Sequence, residues 1–183
     1  MALRSQPTER ERFLETTPDD TEDAPWMTMS DLQVLDAALL RVILRLHIQR
    51  TRLPWYIASY LKIVAPRPVS GAPLEAAPDL LLVEAPDRLR TSWNVRNEGK
   101  SPLFVLEVSA TSSWNRDTSD KPRIYEWMGV GEYAIFAPER RDGGPPLFGY
   151  RRDERGAWVE WSTDERGVLW SRALGGIGLF VED

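Results

Sequence analysis

Apolar residues recur at helical spacing through Leu32, Leu35, Leu39, Val42, Ile43 and Leu46. That spacing predicts an amphipathic helix with one apolar stripe. Ser30 and Gln33 have the spacing of a capping box at its start, and Pro54 ends the pattern. From Trp55 to Val64 β-branched and aromatic residues dominate, which predicts a strand. Three short continuous apolar runs follow: Leu80 to Val83, Leu103 to Val108 and Tyr133 to Phe136. Runs of that length without alternation read as strands buried on both faces. Between them lie segments expected as loops: Ala65 to Pro78, Pro86 to Pro102 and Thr111 to Asp120. Pro122 marks the first turn of a short helix that runs to Met128 before Gly129. Strand, helix, strand in that order predicts a βαβ unit. Leu147 to Arg151 and Trp158 to Trp161, with turn residues between them, predict a hairpin. The run Gly175-Gly176-Ile177-Gly178 lacks the strand-to-helix setting of a phosphate loop and reads as a turn.

A chain of 183 residues suits one domain with its own core. Residues 1–25 are acidic and poor in large apolar groups, so they are expected as a tail, with the folded domain spanning 26–183. No apolar run is long enough to cross a bilayer, and residues 1–12 lack the apolar stretch of a secretory signal, so the expected location is cytoplasmic. The absence of cysteine excludes disulfides, thiolate zinc sites and a cysteine nucleophile. His47 is the sole histidine and sits within a helical pattern, where an ordinary helix position is the simpler reading. Any metal site must therefore use oxygen ligands, which suits magnesium or manganese. The net charge of -5 argues against nonspecific binding to nucleic acid. Arginines nevertheless cluster at Arg41, Arg45, Arg50 and Arg52, and again at Arg88, Arg90 and Arg96, where a solvated face is the plainer reading.

Glu107 interrupts a strand that otherwise reads as buried. A buried carboxylate must be neutral, paired or bound to a cation. Asp79 stands at the mouth of the preceding buried strand. On neighbouring strands the two would converge within reach of one cation, and two carboxylates with a backbone carbonyl suit a hard cation. Each acid also has a plain reading: Pro78-Asp79 as a turn, and Glu107 as half of an ion pair with an arginine.

The segments Ala77-Pro78-Asp79-Leu80-Leu81-Leu82-Val83 and Leu103-Phe104-Val105-Leu106-Glu107-Val108-Ser109 resemble the Uma-two family of restriction endonuclease-like proteins. Asp117, Lys121, Tyr125, Gly129-Val130 and Glu132-Tyr133 continue the resemblance in order, and it resumes weakly near Leu169 and Ser171. It implies a PD-(D/E)XK nuclease fold, an α/β domain with a mixed central sheet flanked by helices. It also implies a magnesium- or manganese-dependent site in which Asp79, Glu107 and the Val108 carbonyl hold the metal. The implied activity is endonucleolytic hydrolysis of DNA. A homodimer would supply one site for each strand. A fold of this kind that has lost catalysis and serves as a binding or assembly module is the alternative.

Two positions depart from the superfamily's pattern. The lysine expected two residues after Glu107 is Ser109, and the family's acidic Asp-Gly segment near the N-terminus is not evident. Of the three lysines, Lys62, Lys100 and Lys121, the last opens the helix predicted after the Glu107 strand. A cation there opposes the helix dipole, which asks for a compensating role, and the resemblance points to the same lysine. Lys121 is therefore the expected catalytic lysine, with a solvent-exposed lysine as the plain reading. Trp114, in the preceding polar segment, is placed either to stack on a base or to pack at the rim of the site.

Overall fold

Leu80, Leu81, Leu82 and Val83 are all fully buried, and the strand they form lies inside a six-stranded sheet. The computed structural model describes residues 31–67, 72–138, 140 and 143–181. The acidic tail and Ser30 of the expected capping box lie outside the described residues. The chain runs through α1 (Asp31–Thr51), β1 (Trp55–Ala58), β2 (Ile63–Ala65), β3 (Leu74–Ala76), β4 (Leu80–Glu84), β5 (Trp93–Asn94) and α2 (Val95–Glu98). It continues through β6 (Phe104–Val108), a π-helical turn (Arg116–Asp120), α3 (Lys121–Trp127), β7 (Glu132–Phe136), β8 (Leu147–Arg152), β9 (Trp158–Ser162), β10 (Leu169–Ser171) and β11 (Ile177–Leu179).

The main sheet has the order β1-β4-β6-β7-β8-β9. Every neighbouring pair in it is antiparallel except β6 and β7, which run parallel. A parallel pair needs a crossover, and the π-turn with α3 supplies it. Side chains alternate between the two faces of each strand. One face, carrying Leu81, Val83, Val105, Tyr133 and Ile135, packs on Ile124, Tyr125 and Met128 and on the small sheet β3-β2-β5. The other, carrying Leu80, Leu82, Phe104, Leu106 and Ala134, packs on Ala37 and Leu44 of α1 and on the β10–β11 hairpin. Gly149 allows β8 to lie close against β7, since a Cβ there would stand 2.0 Å from the Tyr133 carbonyl oxygen.

The structure departs from the expected pattern in three places. The stripe of Leu35, Leu39, Val42, Ile43 and Leu46 faces solvent; α1 docks through Ala37 and Leu44, with Leu40 and Ile48 partly buried. Both rows have helical spacing, and the small Ala37 lets the helix lie close on the sheet. The strand expected over 55–64 is two strands in two different sheets, because Tyr60 adopts φ 54 and turns the chain. All three segments expected as loops hold short elements: β3 before Pro78, β5 with α2 before Pro102, and the π-helical turn before Lys121. The hairpin β8–β9 forms as the pattern predicts; of the expected glycine turn, Gly175 and Gly176 turn the chain while Ile177 and Gly178 belong to β11.

Candidate active site

The register of β4 on β6 pairs Leu80 with Leu106, and one residue further along the same ladder Asp79 stands opposite Glu107. Alternation puts both acids on the face covered by α3. Each touches the other's strand. The Val108 amide donates to Asp79 Oδ2 at 2.6 Å, and the Asp79 amide approaches Glu107 Oε2 at 3.4 Å. Asp79 is 9% exposed and Glu107 3%.

The helix above closes the site from its far side. Tyr125 Oη donates to Glu107 Oε1 at 2.5 Å, and Lys121 Nζ lies 3.0 Å from the same oxygen. Lys121 Nζ also lies 3.1 Å from Asp117 Oδ1, whose other carboxylate oxygen accepts from Ser113 Oγ at 2.6 Å. Asp117, Lys121 and Tyr125 succeed one another at four-residue spacing, so they share one face of the helix. All three are buried. Lys121 opens α3, as the pattern suggested, but the backbone before it is already helical. Helical backbone begins at residue 114 and passes through the π-turn into α3, so Lys121 lies mid-helix. The dipole argument for it therefore lapses, while the ion pairs remain. The other two lysines are elsewhere: Lys62 pairs with Glu75, and Lys100 with Glu84 at 2.9 Å. The partner of Glu107 is thus a lysine rather than an arginine.

Burial is the first cause of the raised pKa of Glu107, which reaches about 8. The carboxylates of Asp79 and Asp117 add to it, while the Lys121 ammonium and the Tyr125 hydroxyl oppose it. Asp79 is also raised, again by burial first and by Asp117, against the Val108 amide, Lys121 and a hydrogen bond to the Glu107 carboxyl. Tyr60 stands at the mouth, its amide donating to the Pro78 carbonyl at 3.1 Å. Its phenol is pushed up by burial and then by the charges of Asp79 and Glu107.

Three buried carboxylates, Asp79, Glu107 and Asp117, face one ammonium in this cluster. Fully ionised, they leave two negative charges in a dry environment, a large cost without a cation. Protonation of Glu107 relieves part of that cost, and a divalent ion would relieve it too; the all-oxygen donors would suit magnesium or manganese, although among the described residues no group of three or more acids could hold a metal ion. Two carboxylates are fewer than an all-protein cage needs, which fits a cation that keeps several waters. Ser109 is buried beside the site, its amide donating to the Phe136 carbonyl at 2.7 Å. It offers a hydroxyl where the superfamily pattern has an ammonium, and Lys121 brings its amine to the same carboxylate from the helix.

Other sequence candidates serve the fold. Trp114 packs against Phe148 at 5.7 Å with Arg140 over its ring at 4.9 Å. Arg90 is buried between the rings of Tyr56 and Trp93 and pairs with Glu98 at 3.0 Å. His47 lies on α1, across the sheet from the carboxylates. Glu132 is a buried acid with a structural role on that other face. It accepts from Ser171 Oγ at 2.5 Å and from the Arg172 amide at 2.9 Å, and so ties β7 to the C-terminal hairpin. A cavity of about 280 Å³ lined by Arg45, Ile48, Arg52 and Trp55 lies at the end of α1 and includes none of the clustered acids.

The part of the site that the sequence reading left unassigned is Asp117 and Tyr125. Their spacing about Lys121 was the available signal, but a polar segment expected as a loop concealed it.

A mixed sheet bearing paired acids on adjacent central strands, under a helix that carries a lysine, defines a nuclease fold of the restriction endonuclease-like class. The pattern of the Uma2 family, described as "Putative restriction endonuclease", matches residues 26–182, and the chain belongs to that family. Among solved structures it is similar to one described as a "putative nuclease belonging to DUF820" from Anabaena variabilis ATCC 29413. The two chains are 12% identical with a TM-score of 0.57, each covered over 95% of its length, a likeness of fold. No curated protein matches the chain.

Proposed function

We propose that the protein is a divalent-metal-dependent endonuclease that hydrolyses phosphodiester bonds in DNA. The observation that carries this reading is the buried Asp79–Glu107 pair with the Lys121 amine 3.0 Å from Glu107. Asp79, Glu107 and the Val108 carbonyl would hold Mg²⁺ or Mn²⁺. When bound, the cation lowers the pKa of a coordinated water and steadies charge on the phosphate. Lys121 is the cationic side chain of the site, held by Glu107 and Asp117, and its role is to face the scissile phosphate or the attacking water. Tyr125 and the Val108 amide fix the two carboxyl groups, so the donors need little reorganisation.

The test is cleavage of supercoiled and linear DNA with Mg²⁺, Mn²⁺ or EDTA, by the wild type and by Asp79→Asn, Glu107→Gln and Lys121→Ala. Metal-dependent cutting abolished by the first two variants is the expected result. The Ser109 position and the close Lys121–Glu107 ion pair favour one second reading, a nuclease fold without catalysis that serves as a binding module. Absence of cutting by wild type with either metal, together with retained DNA binding, would establish that second reading instead.

A further inference from the structure

The side of α1 turned away from the sheet carries an apolar row with no cover among the described residues. Leu35, Leu39, Val42 and Leu46 are between 54% and 62% exposed, and Ile43 beside them is 52% exposed. Their spacing alternates four, three and four. That is the rhythm of a coiled-coil seam, in which a second helix is met every 3.5 residues. A patch of this size is unusual on a monomer and marks an interaction surface.

The charges along the helix select the partner and its direction. Asp36 lies near the acidic start of α1, and Arg50 near a basic end that also holds Arg41 and Arg45. Both Asp36 and Arg50 occupy the same flanking position of the seven-residue repeat. A parallel copy would set Arg50 against Arg45 of the other helix, a like-charge pair, whereas an antiparallel copy sets Asp36 of each helix toward Arg50 of the other. Opposite charges at flanking positions set orientation in such pairs.

We propose that α1 is a homodimerisation helix, pairing antiparallel with α1 of a second copy about a twofold axis near residues 40 and 41. Leu39 then packs on Val42 of the partner subunit, and Leu35 on Leu46 of the partner subunit. The contact is isologous and closes on itself, as a twofold interface must. It lies across the main sheet from Asp79 and Glu107, since α1 packs on the opposite face. Both candidate sites stay open, and the proposal does not depend on what they do.

Sedimentation of the full chain tests it. The expected mass is twice the 20.9 kDa of one chain, falling to a single chain in Leu39→Glu with Val42→Glu. Both residues are exposed, so circular dichroism and melting should be unchanged. Asp36→Arg alone or Arg50→Asp alone should raise Kd roughly tenfold, through two symmetry-related charge pairs. The two changes combined should restore the dimer. A wild type that is a monomer throughout, including one that instead binds anionic vesicles, overturns the proposal. So does a dimer indifferent to the double glutamate variant, or one that the combined charge reversals fail to restore.

Discussion

Removing the ionisable proton of Glu107, by Glu107→Gln, should flatten the pH dependence of stability in metal-free protein. Burial and two neighbouring acids lift this carboxyl from 4.5 to about 8 in the fold. The folded chain therefore holds a proton that the unfolded chain releases over that interval. Its contribution to stability is full below about pH 4.5, falls as pH rises, and is lost above about pH 8. The difference in ionisation cost is about 5 kcal/mol at 1.36 kcal/mol per pH unit. For a chain of this size that corresponds to a fall in Tm of roughly 10–20 °C. Gln keeps an oxygen for Tyr125 and Lys121 but cannot ionise, so most of that fall should vanish. Calorimetry in EDTA across this range gives both slopes. Adding Mn²⁺ or Mg²⁺ at pH 8 should raise the wild-type Tm, because a cation that binds only the folded, ionised site stabilises it. The Gln variant should gain much less. Equal pH slopes for wild type and Glu107→Gln would refute the electrostatic reasoning. Equal metal responses would refute the placement of the cation.

Tyr125→Phe removes a hydroxyl that lowers the Glu107 pKa, so that carboxyl should titrate still higher, at a stability cost of about 1–3 kcal/mol in chemical denaturation. Lys121→Met leaves Glu107 and Asp117 without their shared ammonium and should cost about 3–5 kcal/mol near neutral pH, with part of the loss recovered on acidification as the acids protonate. Glu132→Ala strips the acceptor from Ser171 and from the Arg172 amide; hydrogen exchange should quicken in β10 and β11, while any metal-induced rise in Tm persists. Gly149→Ala forces a Cβ into the Tyr133 carbonyl oxygen and should cost about 1–3 kcal/mol, read as a lower denaturant midpoint.

The buried strands of the sheet are legible in the amino-acid sequence, as are an acid just before one of them and an acid inside another. Continuous apolar runs at 80–83 and 103–108 admit few other folds, and a carboxylate inside such a run demands a partner wherever it lies. The absence of cysteine and the single histidine also settled that any metal here meets oxygen. Register was beyond that reading: only the antiparallel pairing of Leu80 with Leu106 brings Asp79 opposite Glu107. The first part of the helical run over them, before Lys121, was hidden too. A polar segment gives no apolar period, and the π-turn at Arg116–Asp120 shifts the faces that remain, so Asp117 looked like a loop residue. For α1 the sequence specified two apolar rows without ranking them. Packing decided, because the row with Ala37 lets the helix approach the sheet closely, and the leucine row is left facing outward.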